Sequence, residues 1–150
     1  MKHALEEAEK ASEFDETPVG AVIVRDGKIV GRGFNRVESF KDPTAHAEII
    51  AIGAAAQNAG YARLDDTVMY VTLEPCPMCA GAIVLARIPI LVYGAADPKA
   101  GACGSLYNIC RDERLNHKVD IIPGILESEC SRIIKDFFRT LRKRKKTGGI

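Results

Sequence analysis

Residues 67–95 read TVMYVTLEPCPMCAGAIVLARIPILVYGA and combine two strand-like runs with one helix-like run. The apolar run 67–73 is rich in β-branched residues and predicts a buried strand, as does the run 90–95. Between them, 77–87 predicts a helix, because a proline is tolerated at the first helical position. Two strands joined by a helix lie parallel in the same sheet. Residues 67–95 therefore predict an α/β fold built around a parallel strand pair.

The segments on either side predict further strands and helices. A hairpin turn at Asp26-Gly27 predicts that the strands before and after it pair with each other. Thr44 is a typical helix-capping residue, and apolar residues recur at helical spacing after it. The predicted elements are helices over 2–13, 44–59 and 127–144, strands over 19–24, 28–35 and 119–124, and an irregular segment over 96–118. Together they predict a three-layer α/β/α sandwich with a mixed five-stranded sheet.

The composition is that of a folded domain: of 150 residues, 47% are hydrophobic and 27% are charged. This length and this proportion of hydrophobic to charged residues predict one domain over residues 1–150, and they exclude disordered and fibrous proteins. No apolar run approaches the roughly 20 residues that a membrane-spanning helix needs. The acidic start MKHALEEAEKASEFDE is helix-like and does not resemble a secretion or transit signal. We therefore expect a cytoplasmic protein without a membrane segment, whose five cysteines are reduced thiols, some of them metal ligands.

The carboxyl-terminal segment is strongly basic, although the whole chain has a net charge of only +1. Residues 139–146 read RTLRKRKK, and the predicted basic helix end and tail extend over about 139–150. Such a segment could bind a polyanion. It could equally be a solvated helix end whose cations complement the helix dipole. The charge alone leaves both interpretations open.

Cys76 and Cys79 form a Cys-x-x-Cys pair at a predicted helix start, where the helix dipole favours thiolates. On its own, the pair fits a redox site or half of a structural zinc site. A structural zinc site needs four protein ligands, and the sequence contains no second pair to complete one. His46, at the start of another predicted helix, can supply a third ligand. Three ligands leave one position open for water, which is the arrangement of a catalytic zinc site.

Glu48 follows His46 by two residues and is the candidate proton carrier. A zinc ion lowers the pKa of a bound water to about 7 and so provides hydroxide at neutral pH. Attack of hydroxide on an amino-substituted carbon of a purine or pyrimidine requires protons on the ring nitrogen and on the leaving amine. Glu48 can approach that water without being a ligand, and we expect it to act first as a base and then as an acid.

The pattern His46-x-Glu48 with Pro75-Cys76-x-x-Cys79 resembles the signature of the zinc-dependent nucleobase deaminases. A longer set of segments resembles the bacterial tRNA adenosine deaminases. These segments are PVGAVIV (18–24), GFNR (33–36), DPTAHAEI (42–49), YVTLEPCPMCAGAI (70–83), VYGAADPKAGACGSL (92–106), LNHKV (115–119) and DFFR (136–139). The resemblance therefore extends from the first strand into the basic tail.

This resemblance implies a cytidine-deaminase-like α/β/α fold, in agreement with the predicted elements. It implies hydrolytic deamination of adenosine to inosine at the wobble position of an arginine tRNA anticodon. It also implies one Zn²⁺ per subunit, a homodimer, and a tRNA anticodon stem-loop as the partner. A base stacked in a duplex is out of reach of such an enzyme, and the unpaired bases of an anticodon loop can be extruded into a pocket.

The resemblance further implies substrate-binding roles for individual residues. These residues are Asn35, Ala47, Asp97, Asn116, His117, Phe138, Arg139 and Arg142. Other interpretations stay open for three of them. Asn35 could simply close the hairpin, and Asp97 begins a good turn signal. Phe137 and Phe138 share the apolar stripe of the last helix, so at least one of them is expected in the core.

The remaining cysteines are expected to stay away from the metal. Cys103 and Cys110 are predicted to be non-ligands, because a fourth thiolate would displace the water. Cys130 lies on the apolar stripe of the last helix and is predicted to be a core residue.

The main competing function is a free-base or nucleoside deaminase that acts on guanine, cytosine or cytidine. Residues 94–117 and the basic tail favour the RNA enzyme, because a small-molecule deaminase has no evident need for a cluster of terminal cations. A non-catalytic RNA-binding subunit is a second alternative, and the presence of Glu48 argues against it. A redox Cys-x-x-Cys pair with an incidental histidine is a third.

Overall fold

The computed structural model of the chain describes residues 1–148. Residues 149 and 150, at the end of the predicted basic tail, lie outside the described residues. The helices are α1 (Lys2–Glu13), α2 (Val37–Phe40), α3 (Ala47–Ala59), α4 (Pro77–Leu85) and α5 (Glu127–Thr147). The strands are β1 (Gly20–Arg25), β2 (Lys28–Phe34), β3 (Val68–Leu73), β4 (Ile90–Ala95) and β5 (Asp120–Ile122). Within residues 1–148, no helix is both long enough and apolar enough to span a bilayer.

The five strands form one mixed sheet in the order β2-β1-β3-β4-β5. Strand β1 is antiparallel to β2 and β3, whereas β3, β4 and β5 run parallel to one another. Helices α1 and α5 cover one face of the sheet, and α3 and α4 cover the other. The predicted three-layer sandwich, its mixed five-stranded sheet and its β3–β4 parallel pair are therefore confirmed.

Two glycines in β2 bring α3 into direct contact with the sheet. A Cβ atom at Gly33 would lie 2.3 Å from the carbonyl oxygen of Ala47, and one at Gly31 would lie 2.5 Å from that of Ala51. Side chains at either position would therefore push α3 away from the sheet. This close packing fixes the first turn of α3 over the strand, and with it the residues His46 and Glu48.

Three predicted helix boundaries were wrong, and one of them is the end of α5, which extends to Thr147 and not only to residue 144. Helix α3 begins at Ala47 and not at Thr44, because the hydroxyl and the amide of Thr44 both donate to Asp42 Oδ1, at 2.7 and 2.8 Å, in a separate turn. His46, in an extended conformation, is the capping residue instead. Helix α4 ends at Leu85 and not at Arg87, because Arg87 takes a left-handed conformation with φ of 62°.

The short helix α2 was not predicted, and a buried carboxylate holds it in place. Glu16 is 1% exposed and accepts hydrogen bonds from the amides of Glu38 (3.1 Å) and Ser39 (2.6 Å) and from the Ser39 hydroxyl (2.7 Å). Burial opposes ionisation of this carboxyl, yet the hydrogen bonds lower its pKa below the usual value.

The prediction that Cys130 is a core residue is confirmed, since it is fully buried against the sheet.

Candidate metal centre and substrate cleft

His46, Cys76 and Cys79 meet at the carboxyl end of β3. Cys76 caps the amino terminus of α4, Pro77 opens that helix, and Cys79 lies in its first turn. His46 caps α3 on the same face of the sheet. Because the amino termini of two helices converge here, the three side chains come together from positions 30 and 33 residues apart.

The spacing of the three side chains fits a zinc ion. Their ligand atoms all lie within 4.8 Å of one another, and no other such group of three occurs within residues 1–148. His46 Nδ1 is 3.6 Å from Cys76 Sγ and 3.5 Å from Cys79 Sγ. Tetrahedral Zn–S and Zn–N bonds of about 2.3 and 2.05 Å would separate sulfur and nitrogen by roughly 3.6 Å. The three residues therefore form three corners of a tetrahedron of the size that zinc requires.

One of the two cysteines in the site favours the thiolate form. A hydrogen bond from the Cys79 thiol, together with His46, lowers the pKa of Cys76 to about 4. The hydrogen bond to Cys76 and burial raise the pKa of Cys79. The thiolate is the form that binds a metal ion.

The structure pairs Cys103 with Cys110, at 3.6 Å between their sulfurs, and not with this cluster.

Glu48 is buried beside the three ligands, with 4% of its surface exposed. It is the second residue of α3 and lines the same cavity as His46 and Cys76. Burial raises the pKa of its carboxyl, which brings proton exchange closer to neutral pH. A carboxyl group in this position can hold a proton next to the open side of the metal centre.

The metal centre opens into a cleft of about 580 Å³. Four of the predicted substrate-binding residues line it: Asn35, Ala47, Asp97 and Phe138. Helix α5 contributes one wall, with Phe137 and Leu141 beside Phe138. Neither phenylalanine is a core residue, contrary to the expectation for this stripe: both line the cleft, and Phe138 is 39% exposed. The apolar stripe in the second half of α5 faces the cleft, which is why these rings are not sealed in the core.

Asn35 and Ala47 retain polar groups that a substrate could use. Asn35 donates from Nδ2 to the Thr17 carbonyl (3.2 Å) and accepts at Oδ1 from the Val37 amide (3.3 Å). The Nδ2 and Oδ1 atoms of Asn35 can each form one further hydrogen bond. Ala47 is the first residue of α3, where a backbone N–H has no partner within the helix. Asn35 therefore orders the loop after the hairpin and still borders the cleft.

Asp97 both forms a turn and borders the cleft. Its Oδ1 accepts hydrogen bonds from the amides of Lys99 (3.0 Å) and Ala100 (3.2 Å). Asp97 and Ala100 both line the cleft. The turn interpretation and a place in the candidate site are therefore compatible.

The other four predicted substrate-binding residues are not among those that line the cleft. His117 Nε2 donates to the carbonyl of Ile88, 2.8 Å away, next to the amino end of β4. Asn116 is exposed beside it. Arg139 pairs with Asp136 on the exposed side of α5, at 3.2 Å, and Arg142 is exposed on the same helix.

Several residues of the cleft were missed by sequence reasoning. Lys145 of α5 lines it, and Arg144 joins α5 to Asp15 at 2.7 Å. The other missed residues that line it include the acids Glu16, Glu38 and Glu74. The basic run gave a signal for Lys145 as one of a group, but no signal singled it out.

Comparisons with known proteins place the chain among the deaminases. A family model of the MafB19-like deaminases matches residues 1–142. The tRNA-specific adenosine deaminase of Bacillus subtilis (strain 168) is 49% identical over 146 residues, covering 97% of this chain and 91% of that protein. A solved structure from a study of A-to-I editing by tRNA:A34 deaminases at the wobble position of transfer RNA is 47% identical, with a TM-score of 0.86 over 89% of this chain and 96% of that one.

A guanine deaminase from Bacillus subtilis is a more distant match. Its solved structure is 34% identical, with a TM-score of 0.63, covering 95% of this chain and 90% of that one. The sequence identity and the TM-score are both higher for the tRNA enzymes, and these matches cover nearly the full length of this chain and of each relative. The chain therefore belongs to the family of tRNA-specific adenosine deaminases, within the MafB19-like deaminases.

Proposed function

We propose that the protein is a zinc-dependent deaminase that converts the wobble adenosine of an arginine tRNA anticodon to inosine. The observation that carries this proposal is a three-ligand metal centre with a buried glutamate, both open to one cleft. A Zn²⁺ ion held by His46, Cys76 and Cys79 would lower the pKa of a water molecule to about 7 and so supply the nucleophile.

Glu48 performs the proton transfers in this proposal. Its carboxylate takes a proton from the attacking water and delivers it to N1 of the adenine ring as the C6–O bond forms. It then takes the remaining proton from the hydroxyl group that was added at C6 and transfers it to the exocyclic nitrogen. The C6–N6 bond breaks, ammonia leaves, and the ring is left as inosine. Burial of Glu48 keeps bulk water from competing for these protons.

The cleft suits a nucleotide extruded from a loop. Its volume of about 580 Å³ lies within the range of small-ligand sites. We assign substrate contacts to Asn35, Ala47, Asp97 and Phe138, which line it. Asn116 and His117 remain predicted contacts to RNA outside the cleft, as do Arg139 and Arg142 on the exposed side of α5.

The basic end of α5 favours an RNA substrate over a free base. Although acidic residues are numerous around the cleft, Lys145 of α5 places a cation in its wall. The neighbouring cations of α5 are exposed, so they can meet the phosphates on either side of an extruded base. The guanine deaminase match is the observation that keeps a free-base substrate as the second candidate.

Removing residues 142–150 is expected to weaken binding of the stem-loop. A fold-preserving variant replaces Arg142, Lys143, Lys145 and Lys146 with glutamine and leaves the Arg144–Asp15 pair intact. The slope of log affinity against log salt should fall by about 0.7 for each phosphate of the unpaired loop that the variant no longer neutralises. Fluorescence anisotropy across a salt series measures this slope. A variant with glutamine in place of the four exposed cations Lys2, Lys10, Lys28 and Arg63 is the charge-matched control. Equal affinity of both variants at low salt would make the basic run a solvated helix end.

We also propose a homodimer formed through the outer faces of α3 and α4. Helix α4 has no charged residue, and the one charged residue of α3 is the buried Glu48. Leu85 at the end of α4 is 82% exposed. An uncharged, apolar helix surface of this kind is typical of a protein–protein interface.

Leu85→Glu is expected to convert the dimer to a monomer. The folded chain loses little packing, because the side chain is exposed, but a charge would enter the proposed interface. Size-exclusion chromatography with light scattering measures the mass at several protein concentrations. Leu115→Glu, at a side chain that is 41% exposed, serves as the control. A monomeric wild-type protein would contradict the dimer proposal, as would a dimeric Leu85→Glu variant.

We place this function in one domain over 1–150 and in the cytoplasm. The five strands form one sheet, and the five cysteines form no disulfide within residues 1–148, as suits a reducing compartment.

The substrate class is tested by ammonia release from the zinc-loaded protein. An arginine anticodon stem-loop is compared with free adenosine, guanine, cytosine and cytidine at equal concentration. The proposal predicts ammonia from the stem-loop alone. Ammonia from guanine or cytidine, with an untouched stem-loop, would replace it with the second candidate.

A further inference from the structure

We infer that Glu74 is a positioning residue that fixes the loop 97–105 at a set distance from the metal centre. The inference rests on the proposed function for its effect on substrate binding, and on geometry alone for its effect on the loop. Glu74 is 2% exposed, and sequence reasoning gave it no role.

Glu74 lies where two parallel strands end. It follows β3 directly, and its amide donates to the carbonyl of Ala95, the last residue of β4, at 2.8 Å. Leu73 and Ala95 are paired in the β3–β4 register. The proposed metal ligand Cys76 follows Glu74 by two residues, and the loop 97–105 leaves from the end of β4. One side chain is thus adjacent to both the metal centre and the loop.

The carboxylate of Glu74 accepts hydrogen bonds from residues at both ends of the loop. Oε1 accepts from the amide of Asp97 (3.1 Å) and from the hydroxyl of Ser105. Oε2 accepts from the amides of Cys103 (3.0 Å) and Ser105 (3.1 Å). Hydrogen bonds to an ionised acceptor are stronger than neutral ones. Four donors, three of them backbone amides, therefore hold the two ends of the loop to one buried anion.

Gly101 allows the loop to close around this carboxylate. A Cβ atom at Gly101 would lie 2.3 Å from Oε2 and 2.4 Å from Cδ of Glu74. The amide of Gly101 donates to the Asp97 carbonyl at 2.8 Å, and the amide of Ala102 donates to the Pro75 carbonyl at 2.8 Å. A side chain at Gly101 would force either the loop or Glu74 to move.

The arrangement couples the cleft wall to the metal ligands. Asp97 and Ala100 form part of the wall, and Cys76 lines the same cleft. Weakening the hydrogen bonds of Glu74 should let the wall move relative to the metal centre. Because Glu48 and the metal ligands stay in place, the consequence is weaker substrate binding with a smaller effect on the chemical step.

Glu7 provides a control that distinguishes the role of Glu74 from the general effect of changing a buried carboxylate. It is also 2% exposed, but its partners are Lys10 (2.9 Å) and Arg32 (3.5 Å), and it is not among the residues that line the cleft. Glu7→Gln is therefore the matched control for Glu74→Gln. Gly101→Ala perturbs the same contact from the loop side, in case Glu74→Gln fails to fold.

The test combines hydrogen exchange with kinetics on zinc-loaded protein. In Glu74→Gln and Gly101→Ala, the amides of Asp97, Cys103 and Ser105 should exchange at least about tenfold faster than in wild type. The KM for the stem-loop should rise on the order of tenfold, with kcat within about threefold of wild type. Glu7→Gln should change neither quantity.

Two results would overturn the inference. One is unchanged exchange at the three amides in both variants, whatever the substrate of the protein proves to be. The other is an equal rise in KM for Glu7→Gln. A wild-type protein that ignores the stem-loop would instead overturn the proposed function, and the exchange measurement would still decide the role of Glu74.

Discussion

Glu48→Gln is expected to abolish deamination while leaving the metal and the fold in place. The substitution keeps the size of a buried side chain and removes its ability to carry a proton. General acid–base catalysis contributes about 10²–10⁴-fold, and here one group serves both proton transfers. We therefore expect kcat to fall by at least about 10³-fold, with zinc content unchanged.

Single-turnover kinetics on the stem-loop, with zinc measured by mass spectrometry, provide the test. Glu48→Ala should be equally inactive, and Glu7→Gln, at an equally buried carboxylate away from the cleft, should be active. Turnover near the wild-type rate in Glu48→Gln would remove Glu48 from the mechanism. Loss of zinc in that variant would make it a ligand and not a proton carrier.

Cys79→Ser is expected to lose the metal and to lower the thermal stability of the chain. The change leaves two of the three ligands, and even substitutions around intact ligands cost 10–100-fold in metal affinity. We expect a loss of more than about 100-fold. The site joins the start of α3 to the start of α4, so metal binding also stabilises the packing of these helices.

The effect on stability is measured by thermal unfolding with and without a chelator. Chelation should lower the Tm of the wild-type protein, whereas Cys79→Ser should start lower and respond little. Cys130→Ser, at a fully buried cysteine outside the cluster, controls for the loss of a buried thiol. A Cys79→Ser protein with one zinc per chain and an unchanged Tm would contradict the proposed ligand set.

The cysteine pair of the metal cluster could be predicted because its information is local, whereas His46 lies 30 residues upstream of Cys76. Cys76 and Cys79 lie three residues apart at a helix start that Pro77 marks, and His46 precedes another apolar helix. The rule for parallel strands joined by a helix then places the amino end of α4 at one edge of the sheet. The structure brings the three side chains together at that edge.

Two of the three misplaced helix boundaries have local causes that composition does not reveal. Thr44 has the chemistry of a cap, but Asp42 captures its hydroxyl and amide in a turn of its own. The run up to Arg87 has helix-forming residues, but Arg87 adopts a left-handed conformation before β4. In both cases a neighbouring turn overrides the propensity of the segment.

The walls of the cleft could not be predicted, because distant residues hold them. Glu16 reaches Ser39 across 23 positions, and Glu74 reaches Ser105 across 31. Neither glutamate stands out in the sequence, since exposed and buried acids look alike there. For the same reason the resemblance could not separate the predicted substrate-binding residues that line the cleft from those outside it, such as His117, which lies beside Ile88.

The most direct test of the proposed function is to map inosine in an arginine anticodon stem-loop after incubation with the zinc-loaded protein. A second stem-loop carries its adenosine one position away from the wobble position, and Glu48→Gln is the inactive control. We expect inosine at the wobble adenosine alone, and none with the variant. An unmodified wobble adenosine, in a protein that carries zinc and deaminates guanine, would contradict the proposal.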